Sequence, residues 1–594
     1  MKLKKTIILS LLCLFITDAT AVLISPNSNQ LQGTLPIGHE NLTFQLRDGD
    51  WVPNLFLPWY GQDGDTVIIK SSAAYASQIS NLKTDLPFPL SIKNNQSYQF
   101  KFNAKTRLWH LQFEKTLSPN QSPDFNQAAL QTVVINDDNW VSSLRLPQGA
   151  RDGSMLKISS ESQKTTRINS EGVLFASTLS LKKDEAHWYR YYQALNKWVA
   201  ESTTARQFDV KKVGPKMVTV NAALTQVNFS DANWLENLTL PVNAQDRDRI
   251  IVTSTAAWPA KINNTNINSN ASLTLLKNDR YEFVFIADQE KWIIDSAPMT
   301  ALVEKKLVQS QLPDVLYPVT KVIVNPSNWQ AALQLPNKAQ IDDKVILESS
   351  ALQTIQVSSK NGLKASLRNG ETQRYIYTAK GWVADSHTID LLLVIDPAVV
   401  MKIGESAAKL RLLAGLELTN LTAQNSNAQF YMRQAGVVNQ AIQGKDLYEV
   451  MDNILLTPTV LSERNRVGAD MVYYESNEQA KGICGLGFSS INAPKPDSMV
   501  ALGLNSCGIS VMRHELGHNF GLQHYNDDQD TIHRGFNHIL GSTAMGGNNL
   551  NYYSSPKLYS PKYAVRLGEA GKIDAVSLLN KNAPIISGFR TAKM

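Results

Sequence analysis

The sequence predicts a multidomain chain in which four tandem all-β, sandwich-like repeat modules precede one α/β domain. The chain has 594 residues, which corresponds to about four domains at roughly 150 residues each. A tryptophan-centred motif recurs four times, and helical periodicity is absent from about residue 30 to residue 385. Beyond that point, apolar runs at 389–395 and 468–474 predict buried strands, and the apolar spacing of 404–422 predicts a helix.

The N-terminus has the pattern of a secretory signal peptide. Residues 1–5 are basic, residues 7–16 are apolar, and small residues precede a cleavage point that we place after Ala21. The apolar run is too short to span a bilayer, and no later stretch approaches about 20 uninterrupted apolar residues. We therefore expect residues 1–21 to be removed and the protein to be exported, without stable insertion in a membrane.

The charge and composition exclude several classes of protein. Lys+Arg 58 against Asp+Glu 52 gives a net charge of +6, and loss of three lysines and one aspartate with the signal peptide leaves +4. This mild charge and the absence of a dense basic run argue against a nucleic-acid partner. With 43% hydrophobic and 19% charged residues, the chain is not largely disordered.

The repeat begins with Trp-x-x-x-Leu-x-Leu-Pro, slightly altered in its first copy, and ends at a second tryptophan. The opening tryptophans are Trp51, Trp140, Trp234 and Trp329, and the prolines, each seven residues later, are Pro58, Pro147, Pro241 and Pro336. The closing tryptophans are Trp109, Trp198, Trp292 and Trp382. Short alternating runs such as 98–102 predict a small antiparallel β-sandwich for each copy. The predicted divisions are module 1 at 22–118, module 2 at 119–207, module 3 at 208–300, module 4 at 301–386 and a C-terminal domain at 387–594.

The aromatic residues of the modules allow two interpretations. An aromatic face can stack on the apolar face of a sugar ring, whereas a tryptophan that recurs at one position of a repeat is more often part of a core. We expect the eight aligned tryptophans to lie in the cores. Five unaligned aromatic residues are better candidates for exposed contacts: Trp59, Tyr60, Tyr75, Trp188 and Trp258.

The C-terminal domain contains the pattern of a catalytic metal site. On a helix, His514 and His518 lie one turn apart on one face, so that both can bind the same metal ion. Glu515 lies beside them and could accept a proton from water. Gly521 can end the helix, and the returning chain would bring His524 to the ion as a third ligand. Three neutral nitrogens leave one position open on a single catalytic zinc ion.

The pattern from His514 to His524 resembles that of the metzincin zinc endopeptidases. The resemblance implies an α/β metzincin fold, with Met545 in a Met-turn below the metal and residues 482–485 as the edge strand that binds an extended substrate. The C-terminal segment is similar to the adamalysin-like branch. Two positions depart from family patterns, since Tyr525 stands where adamalysins commonly have aspartate and Gly547 stands where astacins have a tyrosine ligand.

Two cysteines remain after removal of the signal peptide, Cys484 and Cys507. An even pair in an exported protein favours one disulfide, with two free buried thiols as the alternative. A bond between them would close a loop of about 24 residues and stabilise the fold by roughly 3 kcal/mol.

The complete architecture resembles the secreted adamalysin-like glycoproteases of Gram-negative pathogens and, more distantly, the mucin-cleaving secreted metzincins. The resemblance implies a virulence factor that hydrolyses host O-glycosylated proteins, either mucin-like or coagulation glycoproteins. Zinc-bound water would attack, with Glu515 as the general base. It also implies type II secretion through the periplasm, with a possible membrane-anchored secretion chaperone.

Two alternative functions are compatible with the sequence. The first is a broad-specificity secreted protease in which the modules are only spacers. The second is an adhesin whose modules bind surface glycans and whose protease domain is incidental. Cleavage of a glycoprotein before and after deglycosylation, and glycan binding by residues 22–386, would distinguish them.

Overall fold

The computed structural model describes residues 22–593, except 114, 120–129, 170, 176–179, 218–221, 304–309, 479–481, 490–492 and 528–530. The predicted signal peptide lies outside the described residues. The chain forms two compact units. Modules 1 and 2 belong to the first unit, and modules 3 and 4 belong to the second together with the C-terminal domain. Among the described helices, none combines the length and the apolar character needed to cross a membrane.

Each module is a sandwich of a five-stranded and a three-stranded sheet. In module 1 the larger sheet has the strand order Val22–Ile24, Asn41–Leu46, Thr66–Ser71, Gln96–Asn103, Leu108–Leu111, and the smaller has Asn54–Leu55, Ser77–Ile79, Leu90–Ile92. In module 2 the orders are Lys197–Thr203, Glu185–Tyr192, Met155–Ser160, Leu130–Ile135, Lys115–Leu117 and Ser143–Leu144, Thr166–Ile168, Ser180–Leu181.

Modules 3 and 4 repeat this arrangement in the second unit. In module 3 the orders are Arg206–Phe208, Leu224–Phe229, Arg249–Ser254, Arg280–Ile286, Lys291–Ser296 and Asn237–Thr239, Ala260–Asn263, Thr274–Leu275. A helical turn, Val210–Val213, follows the first of these strands. In module 4 they are Thr300–Val303, Val319–Val324, Lys344–Ser349, Thr372–Thr378, Gly381–Ala384 and Ala332–Gln334, Ile355–Ser358, Lys364–Leu367. The predicted module starts at 119, 208 and 301 therefore lie one to four residues too late, because the first strand of each of these sheets begins at Lys115, Arg206 or Thr300.

The prediction of purely antiparallel modules is wrong, because each larger sheet is mixed. In module 1, Asn41–Leu46 pairs in parallel with Thr66–Ser71, which in turn pairs antiparallel with Gln96–Asn103. Between the two parallel strands, the chain crosses to the smaller sheet at Asn54–Leu55. Alternating burial identifies a strand but carries no information about its direction, so the sequence pattern could not reveal this crossover.

The closing tryptophans explain why the repeat also has a fixed proline. Trp109, Trp198, Trp292 and Trp382 are at most 2% exposed. Each indole N–H donates to the carbonyl oxygen of the module's motif proline, at N–O distances of 2.8, 2.5, 2.7 and 2.9 Å respectively. The bond satisfies the one polar atom of a large core side chain, as burial of a tryptophan requires.

The other aromatic predictions are confirmed only in part. The opening tryptophans are half-buried and pack against the cores from the irregular segments outside the strands. Of the unaligned aromatics, Trp59, Tyr60, Tyr75 and Trp258 are exposed. The prediction for Trp188 is wrong, since this residue is 7% exposed and packs against Phe88 and Phe113 of module 1.

The C-terminal domain has a five-stranded sheet between two layers of helices. Its strands are β1 (His387–Ile395), β2 (Phe430–Asn439), β3 (Met471–Ser476), β4 (Gly485–Gly487) and β5 (Val500–Leu504). Its helices are α1 (Pro397–Ile403), α2 (Glu405–Asn425), α3 (Leu447–Asn453), α4 (Pro458–Val467), α5 (Val511–Asn519) and α6 (Ala575–Ile586). The sheet order is β2-β1-β3-β5-β4, and only the β4–β5 pair is antiparallel. One core joins the sheet to α1, α2, α5 and α6, and the other joins it to α3 and α4.

Modules 3 and 4 both pack against the C-terminal domain. In module 3, Val284 and Ile286 form a small apolar cluster with Ala564. In module 4, Glu371 contributes to a buried ion-pair network with Arg433 and Asp390 of the C-terminal domain. These contacts fix modules 3 and 4 against the C-terminal domain.

Candidate metal centre and active site

Helix α5 presents the first two candidate ligands on one face. Val511, Met512 and Leu516 are buried against the core of the domain, which fixes the rotation of the helix. The helix ends at Asn519, and Gly521 adopts a positive φ of 94°, a conformation that favours glycine. The chain then turns back toward the helix, because Leu522 donates its N–H to the carbonyl of Gly517.

The turn brings three histidines together. The Nε2 atom of His524 lies 3.0 Å from Nε2 of His514 and 3.2 Å from Nε2 of His518. The three ligand atoms all lie within 4.8 Å of one another. A tetrahedral zinc ion with Zn–N bonds of about 2.0–2.1 Å would separate its nitrogen ligands by roughly 3.3 Å. The spacing of these nitrogens therefore fits a zinc ion.

Hydrogen bonds orient each imidazole toward the common point. The Nδ1 atom of His514 lies 2.8 Å from the carbonyl oxygen of Ala544, and that of His518 lies 2.8 Å from the carbonyl oxygen of Leu522. Both Nδ1 atoms must donate to these acceptors, so each Nε2 carries a lone pair for the metal. In His524, Nδ1 lies 3.4 Å from a carboxylate oxygen of Asp527, whose other oxygen accepts the backbone N–H of His524.

Burial favours the neutral form of the two helical histidines, which is the form that binds metals. Loss of solvation lowers the pKa of His514, and it lowers the pKa of His518 to about 4. The nearby imidazoles act in the same direction, because two positive charges at this distance repel each other.

Glu515 is a buried carboxyl group beside the histidines. It is 6% exposed, and burial raises its pKa to about 8. Its side chain lies below strand β4, since a Cβ atom added to Gly485 would lie 2.7 Å from Cγ of Glu515. The group can thus hold a proton near neutral pH, at the edge of the sheet next to the histidine cluster.

The edge strand lies slightly beyond its predicted position. The sequence places it at 482–485, whereas the structure has β4 at Gly485–Gly487, antiparallel to β5. Glycine is needed here because a Cβ atom on Gly487 would lie 2.3 Å from the carbonyl oxygen of Glu515. Strand β4 therefore runs directly over the helix that carries Glu515.

Met545 lies below the histidines. It is 1% exposed, and the residue before it, Ala544, supplies the carbonyl that orients His514. Its sulfur lies against Gly517, where an added Cβ atom would be 2.7 Å away. The predicted Met-turn residue is thus in contact with the helix between the two ligands.

Cys484 and Cys507 form a disulfide with a Cα–Cα distance of 5.7 Å. The bond connects the residue before β4 to the loop that leads into helix α5. Arg411 of α2 reinforces this loop, because it pairs with Glu475 and donates to the carbonyl of Cys507. The bond therefore joins the two segments that border Glu515.

Two buried polar residues of helix α5 were missed in the sequence. Asn519 donates to the carbonyl oxygens of Phe488 and Val500, which ties the residue after β4 and the first residue of β5 to the helix. Arg513 is 2% exposed and donates to Asn548 and Asn551, beyond Met545. The sequence does show a polar residue adjacent to each of these two ligand histidines. It does not show the hydrogen-bond partners of Asn519 and Arg513, because these partners are distant in sequence.

Family models match both parts of the chain. The β-sandwich domain of the metalloprotease StcE matches residues 39–113, 128–202, 222–296 and 317–386. The Reprolysin-like metallopeptidases of family M12B match residues 413–525, a range that includes the three histidines and Glu515.

Two similar proteins extend these matches. A solved structure described as a chaperone–substrate complex is 44% identical, with a TM-score of 0.85, over 96% of this chain and 100% of that chain. A peptidyl-Asp metalloendopeptidase of Pseudomonas aeruginosa strain PAO1 is 24% identical over 247 residues, which is 35% of this chain and 41% of that protein. The chain thus matches a solved structure over nearly its whole length, but it spans only about two fifths of the length of this second relative.

Proposed function

This chain belongs to the Reprolysin-like M12B metallopeptidases that carry StcE-type β-sandwich modules, and we propose that it is an exported zinc endopeptidase that cleaves host O-glycosylated proteins. The assignment of zinc endopeptidase activity rests on one observation. Three imidazole Nε2 atoms converge beside the buried carboxyl group of Glu515. The donor set is that of a catalytic zinc site with one open position.

The proposed mechanism assigns a role to each of these residues. His514, His518 and His524 would hold a zinc ion, whose Lewis acidity would be available to a water and to the scissile carbonyl at neutral pH. Glu515 accepts the proton of the attacking water and delivers it to the leaving amine.

The substrate backbone would bind along the free edge of β4 by β-addition. This strand ends the sheet order, and its only partner among the described strands is β5. An extended peptide that paired with β4 would pass over helix α5, where Gly487 lies against the backbone of Glu515. We propose Met545 as the Met-turn residue that supports the ligands from below.

The O-glycosylated substrate class, the export route and the partner rest on resemblance. We propose a glycoprotein substrate of the mucin-like or coagulation type from the resemblance of the whole architecture to the secreted glycoproteases. We propose residues 1–21 as the signal peptide and type II secretion as the route. The solved structure of a 44% identical chain, described as a chaperone–substrate complex, supports a chaperone as partner. That this chaperone is dedicated to secretion and membrane-anchored is our proposal from the resemblance alone.

Digestion of one O-glycoprotein before and after removal of its O-glycans tests the substrate class. The full chain should cleave the glycosylated form and leave the deglycosylated form intact. Equal cleavage of both forms would contradict glycan dependence and favour a broad-specificity protease.

The variant Glu515→Ala tests the catalytic assignment. It should retain zinc and lose roughly 10²–10⁴-fold in activity, the usual contribution of a general base. His533→Ala is the control, because this nearby histidine lies outside the cluster and its loss should change neither zinc content nor activity. Substantial residual proteolysis by Glu515→Ala, with zinc bound, would refute the role of Glu515.

A further inference from the structure

Tyr473 of strand β3 lies on the face of the sheet that packs against helix α5. Its ring belongs to the same core as Met512 and Leu516 of that helix, whereas the ring of Tyr474 belongs to the core on the opposite face. Tyr473 is 2% exposed. A buried phenol carries a polar hydroxyl that needs a partner, so the groups around this hydroxyl indicate what it does.

A pair of glycines makes room for the hydroxyl next to Glu515. Gly503 of β5 is the cross-strand partner of Gly485 of β4, and paired residues direct their Cβ positions to the same face, about 5 Å apart. A Cβ atom added to Gly503 would lie 1.9 Å from the hydroxyl oxygen of Tyr473. A Cβ atom added to Gly485 would lie 2.7 Å from Cγ of Glu515. The phenol and the carboxyl group therefore occupy neighbouring positions beneath one glycine pair.

The carboxyl group of Glu515 and the hydroxyl of Tyr473 suit each other as acceptor and donor. Among the described residues, no hydrogen bond is made to the carboxyl group of Glu515. Burial raises the pKa of the Tyr473 phenol well above its usual range, and the nearby carboxyl groups of Glu475 and Glu515 raise it further. The hydroxyl thus keeps its proton and is available as a donor.

Glu475, the second carboxyl group near Tyr473, already has a cationic partner. It is 3% exposed, and Nε of Arg411 donates to its carboxylate at 2.5 Å. The same guanidinium donates to the carbonyl oxygen of Cys507. No cation pairs with Glu515 in the part of the chain that the structure describes, so a donor from Tyr473 is needed at Glu515 and not at Glu475.

We propose that Tyr473 is a positioning residue for the general base, whose hydroxyl donates a hydrogen bond to the carboxylate of Glu515 and holds it beside the histidine cluster. A hydrogen bond to an ionised acceptor is stronger than one between neutral groups, and a buried site strengthens it further. A catalytic group displaced by about 1 Å can lose roughly 10²-fold in rate. Tyr473 thereby adds an orienting residue to the zinc endopeptidase function proposed above, on which this assignment rests.

Tyr473→Phe in the full chain removes the hydroxyl and leaves the ring in the core. With a purified O-glycoprotein as substrate, kcat should fall about tenfold, which is the usual effect of losing one hydrogen bond to a charged group. KM should stay within about twofold, because the hydroxyl acts on the base and not on the substrate. Metal analysis should show an unchanged zinc content.

Tyr474→Phe is the matched control. It also removes one hydroxyl from a buried tyrosine of β3, since Tyr474 is 1% exposed, but this ring lies on the opposite face of the sheet. The variant should keep the kcat of the parent even if its thermal transition is lowered. An equal fall in kcat for both variants would assign the effect to packing and overturn the proposal.

The double variant with Tyr473→Phe and Glu515→Ala separates positioning from an independent effect. If the hydroxyl acts through Glu515, its removal causes no further loss once the carboxyl group is absent. A further loss of about tenfold, measured as residual turnover at high enzyme concentration, would show that Tyr473 does not act through Glu515.

A binding measurement gives a second readout that does not depend on turnover. Acetohydroxamate can chelate a catalytic zinc ion and donate a hydrogen bond to a neighbouring carboxylate. Its affinity for the zinc-loaded chain, measured by calorimetry, should fall about threefold or more in Tyr473→Phe and stay unchanged in Tyr474→Phe. Equal affinity in Tyr473→Phe and the parent would contradict the proposed hydrogen bond.

The proposed function and the role of Tyr473 fail in different ways. Full activity of Glu515→Ala would refute both of them. Loss of activity in Glu515→Ala, together with a normal kcat in Tyr473→Phe, would refute the role of Tyr473 alone.

Discussion

The sulfur of Met545 lies against the backbone of Gly517, so close that a Cβ atom on residue 517 would be 2.7 Å from it. Gly517 is the residue before the second candidate ligand, His518, and Met545 follows the carbonyl that orients His514. The absence of a side chain at residue 517 therefore allows the methionine to support both helical ligands at once.

Gly517→Ala should weaken zinc binding by about tenfold or more, in the range seen when groups that orient metal ligands are disturbed. Alanine is a better helix former than glycine by about 1 kcal/mol, so the loss would come from displacement of Met545 and not from the helix itself. Competition with a chelator measures the zinc affinity, and circular dichroism checks the helix.

Gly508→Ala is the matched control, because an added Cβ atom there meets nothing closer than Oγ of Ser510 at 3.7 Å. Equal zinc affinity in Gly517→Ala and the parent would show that Met545 can move without disturbing the ligands.

Gly485→Ala should lower kcat while the zinc content is unchanged. The new Cβ atom would lie 2.7 Å from Cγ of Glu515 and 2.6 Å from the carbonyl oxygen of Leu502, so the carboxyl group must move away from the edge strand. Because a misplaced general base affects the chemical step, we expect a loss of roughly 10²-fold in kcat. Steady-state kinetics with metal analysis measures both quantities, and a change in KM alone would contradict the expectation.

Some of the site could be predicted because its geometry is local. His514 and His518 are fixed by helical spacing, and Gly521 with His524 follows within one turn. Asn519 and Arg513 could not be assigned, because their partners Phe488 and Asn548 reach them only through the tertiary fold.

In the modules, too, the sequence predicts local features but not those that depend on the tertiary fold. The closing tryptophans can be assigned to the cores from the sequence, because each of them ends a strand-rich repeat. The sequence shows the motif proline only as a recurring spacing, and not as the hydrogen-bond acceptor of the tryptophan. The half-burial of the opening tryptophans depends on their tertiary packing against the module cores, which the sequence pattern does not show. Strand direction depends on the crossover between sheets, which local alternation does not encode.

Arg433→Met should destabilise the junction between module 4 and the C-terminal domain by about 3–5 kcal/mol. Arg433 pairs with Asp390 at 2.7 Å and with Glu371 of module 4 at 3.4 Å, and all three side chains are at most 6% exposed. Its removal leaves two buried carboxylates without the cation that they share. An uncompensated charge in the interior is strongly destabilising, because the carboxylate has lost both its solvation and its partner. Calorimetry of the full chain should show a lower unfolding temperature.

Arg466→Met is the control for this comparison. Arg466 pairs with Glu463 at 2.7 Å, but its side chain is 69% exposed, and such surface pairs contribute about 0–1 kcal/mol. Similar small shifts for both variants would show that the buried network does not hold the junction.

Asp470 should make the stability of the C-terminal domain depend on pH. The residue is 1% exposed, and burial raises its pKa to about 7. Its carboxyl group accepts the backbone N–H groups of Asp390 and Arg590, which only partly offsets the loss of solvation. Since the pKa in the unfolded chain is about 4, the contribution to stability is fully present below pH 4 and is lost as the pH rises through 7.

The expected loss between pH 5 and pH 8.5 is about 3 kcal/mol, from roughly 1.4 kcal/mol per pH unit over the two units between pH 5 and the folded-state pKa of about 7. Hydrogen exchange in β3, which begins at Met471, reports on this domain when corrected for the intrinsic effect of pH on exchange. Asp470→Asn keeps an acceptor but cannot ionise, so its stability should change little across this range. If the variant and the parent lose stability equally, another group is responsible, and the raised pKa of Asp470 does not control the stability of the domain.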